Sequence, residues 1–166
     1  MLRIIGNLFE HDVKIGDIKR RSETKSLVAK TRGHDIFKGR LILLVDNGSG
    51  SAAELLSRVV QLEKRGIVIG DHSAGAVMRS RGYPMALGDS SAILYGVSVT
   101  DADLLMTDGN SLEHTGVTPD KTILPSGADL RDRSDQVLSY AASLAGVKLD
   151  PKDAGALFPI RWKLKP

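Results

Sequence analysis

The stretch from residue 41 to residue 70 constrains the fold most. Leu41-Ile42-Leu43-Leu44-Val45 is a short continuous apolar run that stops at Asp46-Asn47-Gly48. A run of this length, bounded by turn residues, is the pattern of a strand buried on both faces. Ala52, Leu55, Leu56, Val59 and Val60 then recur at helical spacing, and Gly66 is placed to end the helix. Ile67-Val68-Ile69, closed by Gly70, reads as a second buried strand. Strand, turn, helix and strand in this order predict a parallel βαβ unit, and with it an α/β fold.

Other segments are arranged around that unit. Residues 11 to 32 alternate in the manner of strands, with Val13, Ile15 and Ile18 among polar neighbours and a break at Arg21-Ser22-Glu23, which predicts an extended hairpin. Shorter strands are expected at Ala76-Val77-Met78, from Ala92 to Val99, and at Leu104-Leu105-Met106. Turn signals separate them at Leu87-Gly88-Asp89 and Thr107-Asp108-Gly109. Val137, Leu138, Ala141, Leu144 and Ala145 predict a helix over 134–146, and residues 147–166, with Pro151, Pro159 and Pro166, read as a tail laid over the surface. A chain of 166 residues fits one domain, here with its core over 40–125. Only 4% of residues are aromatic, so aliphatic side chains must supply most of the packing.

Composition removes several classes of function. The net charge is +3, and acids and bases interleave, as in Lys14, Asp17, Lys19, Arg20, Arg21, Glu23 and Lys25. A nucleic-acid surface needs a basic face with few acids and some stacking aromatics, so no nucleic-acid partner is expected. The absence of cysteine excludes disulfides, thiolate metal sites and cysteine nucleophiles. No apolar run reaches the ~18 residues of a membrane span. Met1 to Asn7 is too short an apolar stretch for a signal peptide, so the sequence does not indicate a compartment.

Asp46-Asn47-Gly48-Ser49-Gly50-Ser51-Ala52-Ala53-Glu54 joins the buried strand to the amphipathic helix. A hydroxyl there sits at a helix amino terminus, where free N–H groups and the positive end of the dipole favour a developing oxyanion. That chemistry suits acyl transfer. Two other readings fit the same residues. Ser51-Ala52-Ala53-Glu54 matches the Ser-x-x-Glu capping box, which makes Ser51 only an N-cap. Gly48-Ser49-Gly50-Ser51-Ala52-Ala53 matches the Gly-x-Gly-x-x-Ala dinucleotide turn, and Asp71 falls about where a ribose-binding acid would stand.

Three blocks together resemble the C-terminal processing (tail-specific) serine proteases and the related core of tricorn protease. Gly48 to Glu54 aligns without a gap on that family's Gly-Ser-Ala-Ser-Ala-Ser-Glu turn, with Ser51 at the nucleophile. Gly70-Asp71-His72-Ser73-Ala74-Gly75 matches its Gly-Glu-x-Thr-x-Gly turn. Thr107-Asp108-Gly109 and Glu113-His114-Thr115-Gly116-Val117-Thr118-Pro119-Asp120 match its last block. The resemblance implies a ClpP/crotonase-like fold of ββα units with a parallel central sheet. It implies a serine endopeptidase acting on peptide or protein substrates, with Ala52 N–H as an oxyanion donor and no metal or organic cofactor. Family members tend to assemble, so a homo-oligomer is expected, and most are exported, which suggests a periplasmic or extracellular parent.

The departures matter as much. Members with a Ser-Lys dyad carry lysine where this chain has Ala76, and no lysine lies between Lys64 and Lys121. The tricorn-like branch uses an upstream histidine and a glutamate near the last block. Glu113 stands at that glutamate's position, and His72 is the best internal candidate for a base. His11 and His34 read as exposed polar residues, and His114 points away from Glu113 if its segment is extended. The family's glycine turn preceding its first helix has no counterpart before Gly48, and Met1 to Phe9 reads as the helix that would follow it. A partial peptidase domain is therefore expected, lacking its amino-terminal portion, with the base and half the oxyanion hole contributed by an upstream segment. The expected alternative is a non-catalytic peptide-binding or scaffolding domain of the same fold.

Overall fold

The computed structural model describes residues 1–88, 91 and 93–158. In chain order it contains α1 (Leu2–Gly6), β1 (Val13–Lys19), β2 (Thr24–Ala29), β3 (Ile42–Val45), α2 (Ala52–Leu62), β4 (Ile67–Gly70), β5 (Arg79–Leu87), β6 (Ile93–Met106), β7 (Lys121–Thr122), α3 (Gly127–Asp132), α4 (Gln136–Leu144) and α5 (Pro151–Leu157). The parallel βαβ unit is present: β3 pairs with β4 from Ile42↔Ile67 to Val45↔Gly70, with α2 as the crossover. β7 adds to the other side of β4, also parallel, giving the order β3-β4-β7. A second sheet is antiparallel, in the order β2-β1-β6-β5. The mixed α/β architecture expected from the sequence is the one observed.

Burial follows the periodicity. α2 buries Leu55, Val59 and Val60 along one face, and Val68 and Ile69 of β4 are fully buried. One apolar cluster joins α1 (Ile5), β1 (Val13, Ile15), β3 (Val45), α2 (Leu55, Val59), β4 (Val68) and β6 (Leu104, Met106). Among the described residues its only aromatic member is Phe9, and the core there is aliphatic as the composition required. Arg65 ties the amino-terminal segment to this core, donating to the carbonyl oxygens of Leu8 at 3.0 Å and Gly39 at 3.1 Å, and to that of Phe37.

Several expectations are corrected. The β3 run is not buried on both faces, because Leu44 is 45% exposed and lines an open cleft. Continuous apolarity reflects parallel pairing but does not report whether each face is covered. α2 ends at Leu62, with Lys64 in the left-handed region at φ 51. Gly66 serves instead to bring the chain against Leu41, whose carbonyl oxygen would lie 2.5 Å from a Cβ. Ala76-Val77-Met78 is not a strand, because its amides are taken by carboxylates, as described below. Leu104–Met106 is the end of the long β6 rather than a separate strand. The segment after 146 includes α5, started by Pro151 at its first turn and capped by Asp150, which accepts from the Lys152 amide at 2.8 Å. Asp89 of the expected turn, Ala92 and residues 159–166 of the expected tail lie outside the described residues.

Candidate active site

β3 delivers the chain to a tight turn at Asp46. The Asp46 carboxylate accepts from Gly48 N–H at 3.1 Å and from the Ser49 hydroxyl at 2.8 Å, while the Asp46 carbonyl accepts from Ser49 N–H at 2.9 Å. This Asx-type closure reverses the backbone within a few residues. Ser51 follows with φ 54 and ψ −114, a conformation that a residue bearing a Cβ adopts only under constraint. A nucleophilic serine on a strained strand-to-helix turn is held in this way so that its hydroxyl stands clear of the backbone. Ser51 is exposed at the amino end of α2.

Glu54 supplies the constraint. Its carboxylate is fully buried and has four donors: Ser73 Oγ at 2.7 Å and Gly75 N–H at 2.7 Å on one oxygen, Ser51 N–H at 2.8 Å and Ala76 N–H at 3.0 Å on the other. Burial by itself raises its pKa, but the hydrogen bonds from Ser73, Ala76, Gly75 and Ser51 outweigh that and hold it below the ordinary 4.5. The carboxylate half of the capping box is thus closed. Ser51 Oγ also faces the Glu54 amide, so both halves of the box are in place as the N-cap reading expects, while Ser51 itself is exposed. Ala52 N–H donates to no protein acceptor among the described residues, which leaves it free for an incoming oxyanion.

The segment 71–78 passes beside this turn. Ala74 N–H donates to Ser49 carbonyl and Ser51 N–H to Ala76 carbonyl, both at 2.9 Å. The last motif block closes the other side: Val117 N–H donates to Ser73 Oγ at 2.6 Å, and His114 N–H to Gly75 carbonyl at 2.8 Å. The contact needs glycine at 116, where φ is 60 and a Cβ would fall 2.6 Å from the Ser73 carbonyl oxygen. The three motif blocks, distant in sequence, therefore meet around Glu54.

Glu113 and His72 fall in this assembly but not on the Ser51 hydroxyl. Glu113 accepts from Val77 N–H at 2.7 Å and Met78 N–H at 2.9 Å, fixing the backbone that leads into β5. Glu113→Ala is expected to leave both amides without a partner, and hydrogen exchange at Val77 and Met78 should accelerate by about 5- to 150-fold, following the ~1–3 kcal/mol cost of an unmade bond. Unchanged protection would refute that role. His72 Nδ1 lies 3.1 Å from Ser73 carbonyl, and since a carbonyl only accepts, Nδ1 carries the proton and Nε2 is the free basic nitrogen. His11 and His34 lie in the amino-terminal segments, and His114 is exposed with φ 61. Of the amides at this turn, Ser51 N–H is the one already given to the buried Glu54 carboxylate.

A cleft of about 1000 Å³ opens at the carboxyl ends of β3 and β4, lined by Leu44, Asp46, Gly70, Asp71, Leu130 and Phe158 among others. Asp46 belongs both to the cleft wall and to the turn that presents Ser51. Asp120, the last residue of the third block, accepts from Val68 N–H at 2.8 Å and Gln61 Nε2 at 2.9 Å, locking β4, α2 and the approach to β7 together behind the cleft.

The sequence profile of peptidase family S41 matches residues 1–123, which is most of the chain and includes all three blocks. The chain belongs to peptidase family S41. Solved structures agree in fold. A putative peptidase from Parabacteroides merdae superposes with a TM-score of 0.69 at 17% identity, over 87% of this chain and 46% of its own. Tricorn protease gives 0.58 at 19% identity, over 87% of this chain and 13% of its own. The photosystem II D1 C-terminal processing protease gives 0.53 at 22% identity, over 74% of this chain and 30% of its own. This S41 chain therefore spans less than half the length of each of these three proteins.

Proposed function

We propose that this S41 chain carries the nucleophile of a serine-type endopeptidase, with Ser51 Oγ attacking a peptide carbonyl to form an acyl-enzyme. The observation that carries the reading is the exposed Ser51 at φ 54, ψ −114 on the strand-to-helix turn, beside an uncommitted Ala52 N–H. In the attack, the Ser51 proton passes to a base as the Oγ–C bond forms, and negative charge moves onto the carbonyl oxygen. Ala52 N–H then receives that charge at the positive end of α2. Collapse of the tetrahedral species expels the amine, which takes the proton back, and water hydrolyses the ester by the reverse path.

The base must come within about 2.6–3.2 Å of Ser51 Oγ in the working enzyme. Within this chain His72 is the candidate base, and otherwise the base is contributed by another segment of the protein, together with a second oxyanion donor. The family resemblance, in which most members are exported, is what supports a periplasmic or extracellular parent. The second reading is a peptide-binding domain that keeps the fold without catalysis. It is favoured by Ala76 at the lysine position and by Glu113 being occupied with the Val77 and Met78 amides.

A fluorophosphonate probe applied to the protein as it occurs in the cell decides between them. Covalent labelling mapped to the peptide containing Ser51, and lost in Ser51→Ala, is the expected result. A protein that binds peptides yet takes no label at Ser51 establishes the binding-domain reading instead.

A further inference from the structure

The cleft at the carboxyl ends of β3 and β4 has two walls of different origin. Leu44 and Asp46 come from the βαβ frame, whereas Leu130 and Phe158 come from α3 and the end of α5, beyond the residues 1–123 that the S41 profile matches. Its apolar part is bare among the described residues: Leu44 is 45% exposed, Leu130 63% and Phe158 75%.

The charged part of the cleft is acidic. Five aspartates line it, among them Asp46, Asp129 and Asp135, against Arg131, Arg133 and Lys152. Arg131 is already spent on Asp132, at 3.1 Å. Asp129 is held below the ordinary carboxylate range by the Ser126 hydroxyl and amide, the Ser134 hydroxyl and Gln136 Nε2, all of them neutral donors that leave its charge in place. Asp135 likewise accepts from an amide, that of Leu138 at 2.8 Å.

The chain leaves α5 at Phe158, on the cleft wall, and continues as Pro159-Ile160-Arg161-Trp162-Lys163-Leu164-Lys165-Pro166. Between its two prolines, apolar and cationic residues alternate strictly and no acid occurs. An extended segment of this period carries Ile160, Trp162 and Leu164 on one side and Arg161, Lys163 and Lys165 on the other. That pattern complements a cleft with an apolar wall and an acidic rim.

We propose that residues 159–166 dock in this cleft as an extended intramolecular ligand, with the Ile160, Trp162 and Leu164 side on its apolar wall and the cations toward its aspartates. Tethering decides the occupant. A segment joined to the wall at Phe158 acts at an effective concentration of about millimolar, and a separate partner or a segment tethered through a longer loop works at a lower one. Apolar burial supplies the affinity, because exposed ion pairs are individually weak, while the charges set the orientation. The docking stands independently of the peptidase reading.

Trp162 is the only tryptophan of the chain, so its emission reports the docked state without a label. In the unaltered protein, the emission lost in Trp162→Phe should be blue-shifted and less quenched by acrylamide than in the urea-unfolded chain, equally over ~1–100 µM protein. K163E/K165E, and separately Leu130→Lys in α3, should each shift the docking equilibrium toward the free segment at least ~10-fold, the loss of one anchoring contact. Val147→Lys, 57% exposed and outside the cleft, should leave the emission unchanged. Emission and quenching equal to those of the unfolded chain overturn the proposal. So does protection that survives K163E/K165E or Leu130→Lys, or that is lost equally in Val147→Lys. Protection that grows with protein concentration assigns the cleft to the segment of a second copy and overturns the intramolecular docking. K163E/K165E changes only residues beyond α5, so a fold damaged by Leu130→Lys cannot conceal the answer.

Discussion

Glu54→Leu should be the most damaging single substitution in this protein, lowering stability by about 4–6 kcal/mol or preventing folding. Leucine roughly preserves volume but accepts nothing. Gly75 N–H, Ala76 N–H and the Ser73 hydroxyl would lose their carboxylate partner beside a fully buried side chain. Each buried donor left unmade costs about 1–3 kcal/mol, so the losses add to an exceptional value for a point mutant. Ser51 N–H is less exposed to the change, since it also donates to Ala76 carbonyl. Glu54→Gln keeps one acceptor oxygen and turns an NH₂ toward the other donors, so about half the loss is expected. Urea unfolding of both variants reads the series, and a Glu54→Leu protein within about 1 kcal/mol of wild type would refute the account.

The same carboxylate sets a pH dependence with a definite sign. Its pKa is lower folded than unfolded, so the unfolded chain binds the proton more readily. Stability from Glu54 is complete above its ordinary 4.5 and is lost as pH falls from there through the depressed folded value. Wild type should therefore lose stability in that acid window more steeply than Glu54→Gln, which has no proton to bind there.

Ser51→Gly should behave in the opposite way, gaining stability while losing function. Ser51 holds φ 54 and ψ −114, a strained conformation for a residue with a Cβ, at a cost of about 1–3 kcal/mol. Glycine adopts it freely but adds about 0.4–1 kcal/mol of unfolded-state entropy to be lost on folding. The net gain should be about 0.5–2 kcal/mol, or roughly 1–8 °C in Tm for a chain of this size. Ser51→Ala retains the Cβ and hence the strain, so its Tm should stay near wild type. Both variants should lose fluorophosphonate labelling, and in an active protein kcat should fall at least ~10³-fold. If Ser51→Gly is no more stable than Ser51→Ala, the turn is not strained and the case for a poised hydroxyl weakens. Stability stored against function in this way is common at catalytic residues.

The comparison of Ala76-Val77-Met78 with Ile67-Val68-Ile69 shows where sequence reasoning stops. Both read as short apolar strands flanked by glycine or polar residues. The first is irregular because Glu54 and Glu113 accept its N–H groups, and the second is a central strand because β3 and β7 flank it. Hydrogen-bond partners contributed from far along the chain are not encoded in local periodicity. Glu54 itself was visible as the acid of Ser-x-x-Glu, and that signal pointed to one of its partners, Ser51 N–H. Its bonds to Ser73, Gly75 and Ala76 come from residues about twenty positions away. Of the β5–β6 pair only the later strand was anticipated, from Ala92 to Val99, while β5 at Arg79–Leu87 was not, and the register that pairs them is specified only in the folded sheet.

What the sequence determined by itself is the βαβ frame with its glycine-serine turn, because apolar spacing and turn chemistry act between near neighbours and need no tertiary help. The tertiary structure alone decided that three motif blocks converge on one buried carboxylate, that Glu113 and His72 bond to backbone groups and not to the Ser51 hydroxyl, and that β5 pairs with the outer part of β6. Each of those outcomes rests on contacts between residues distant in sequence, formed only once the sheets and α2 have packed.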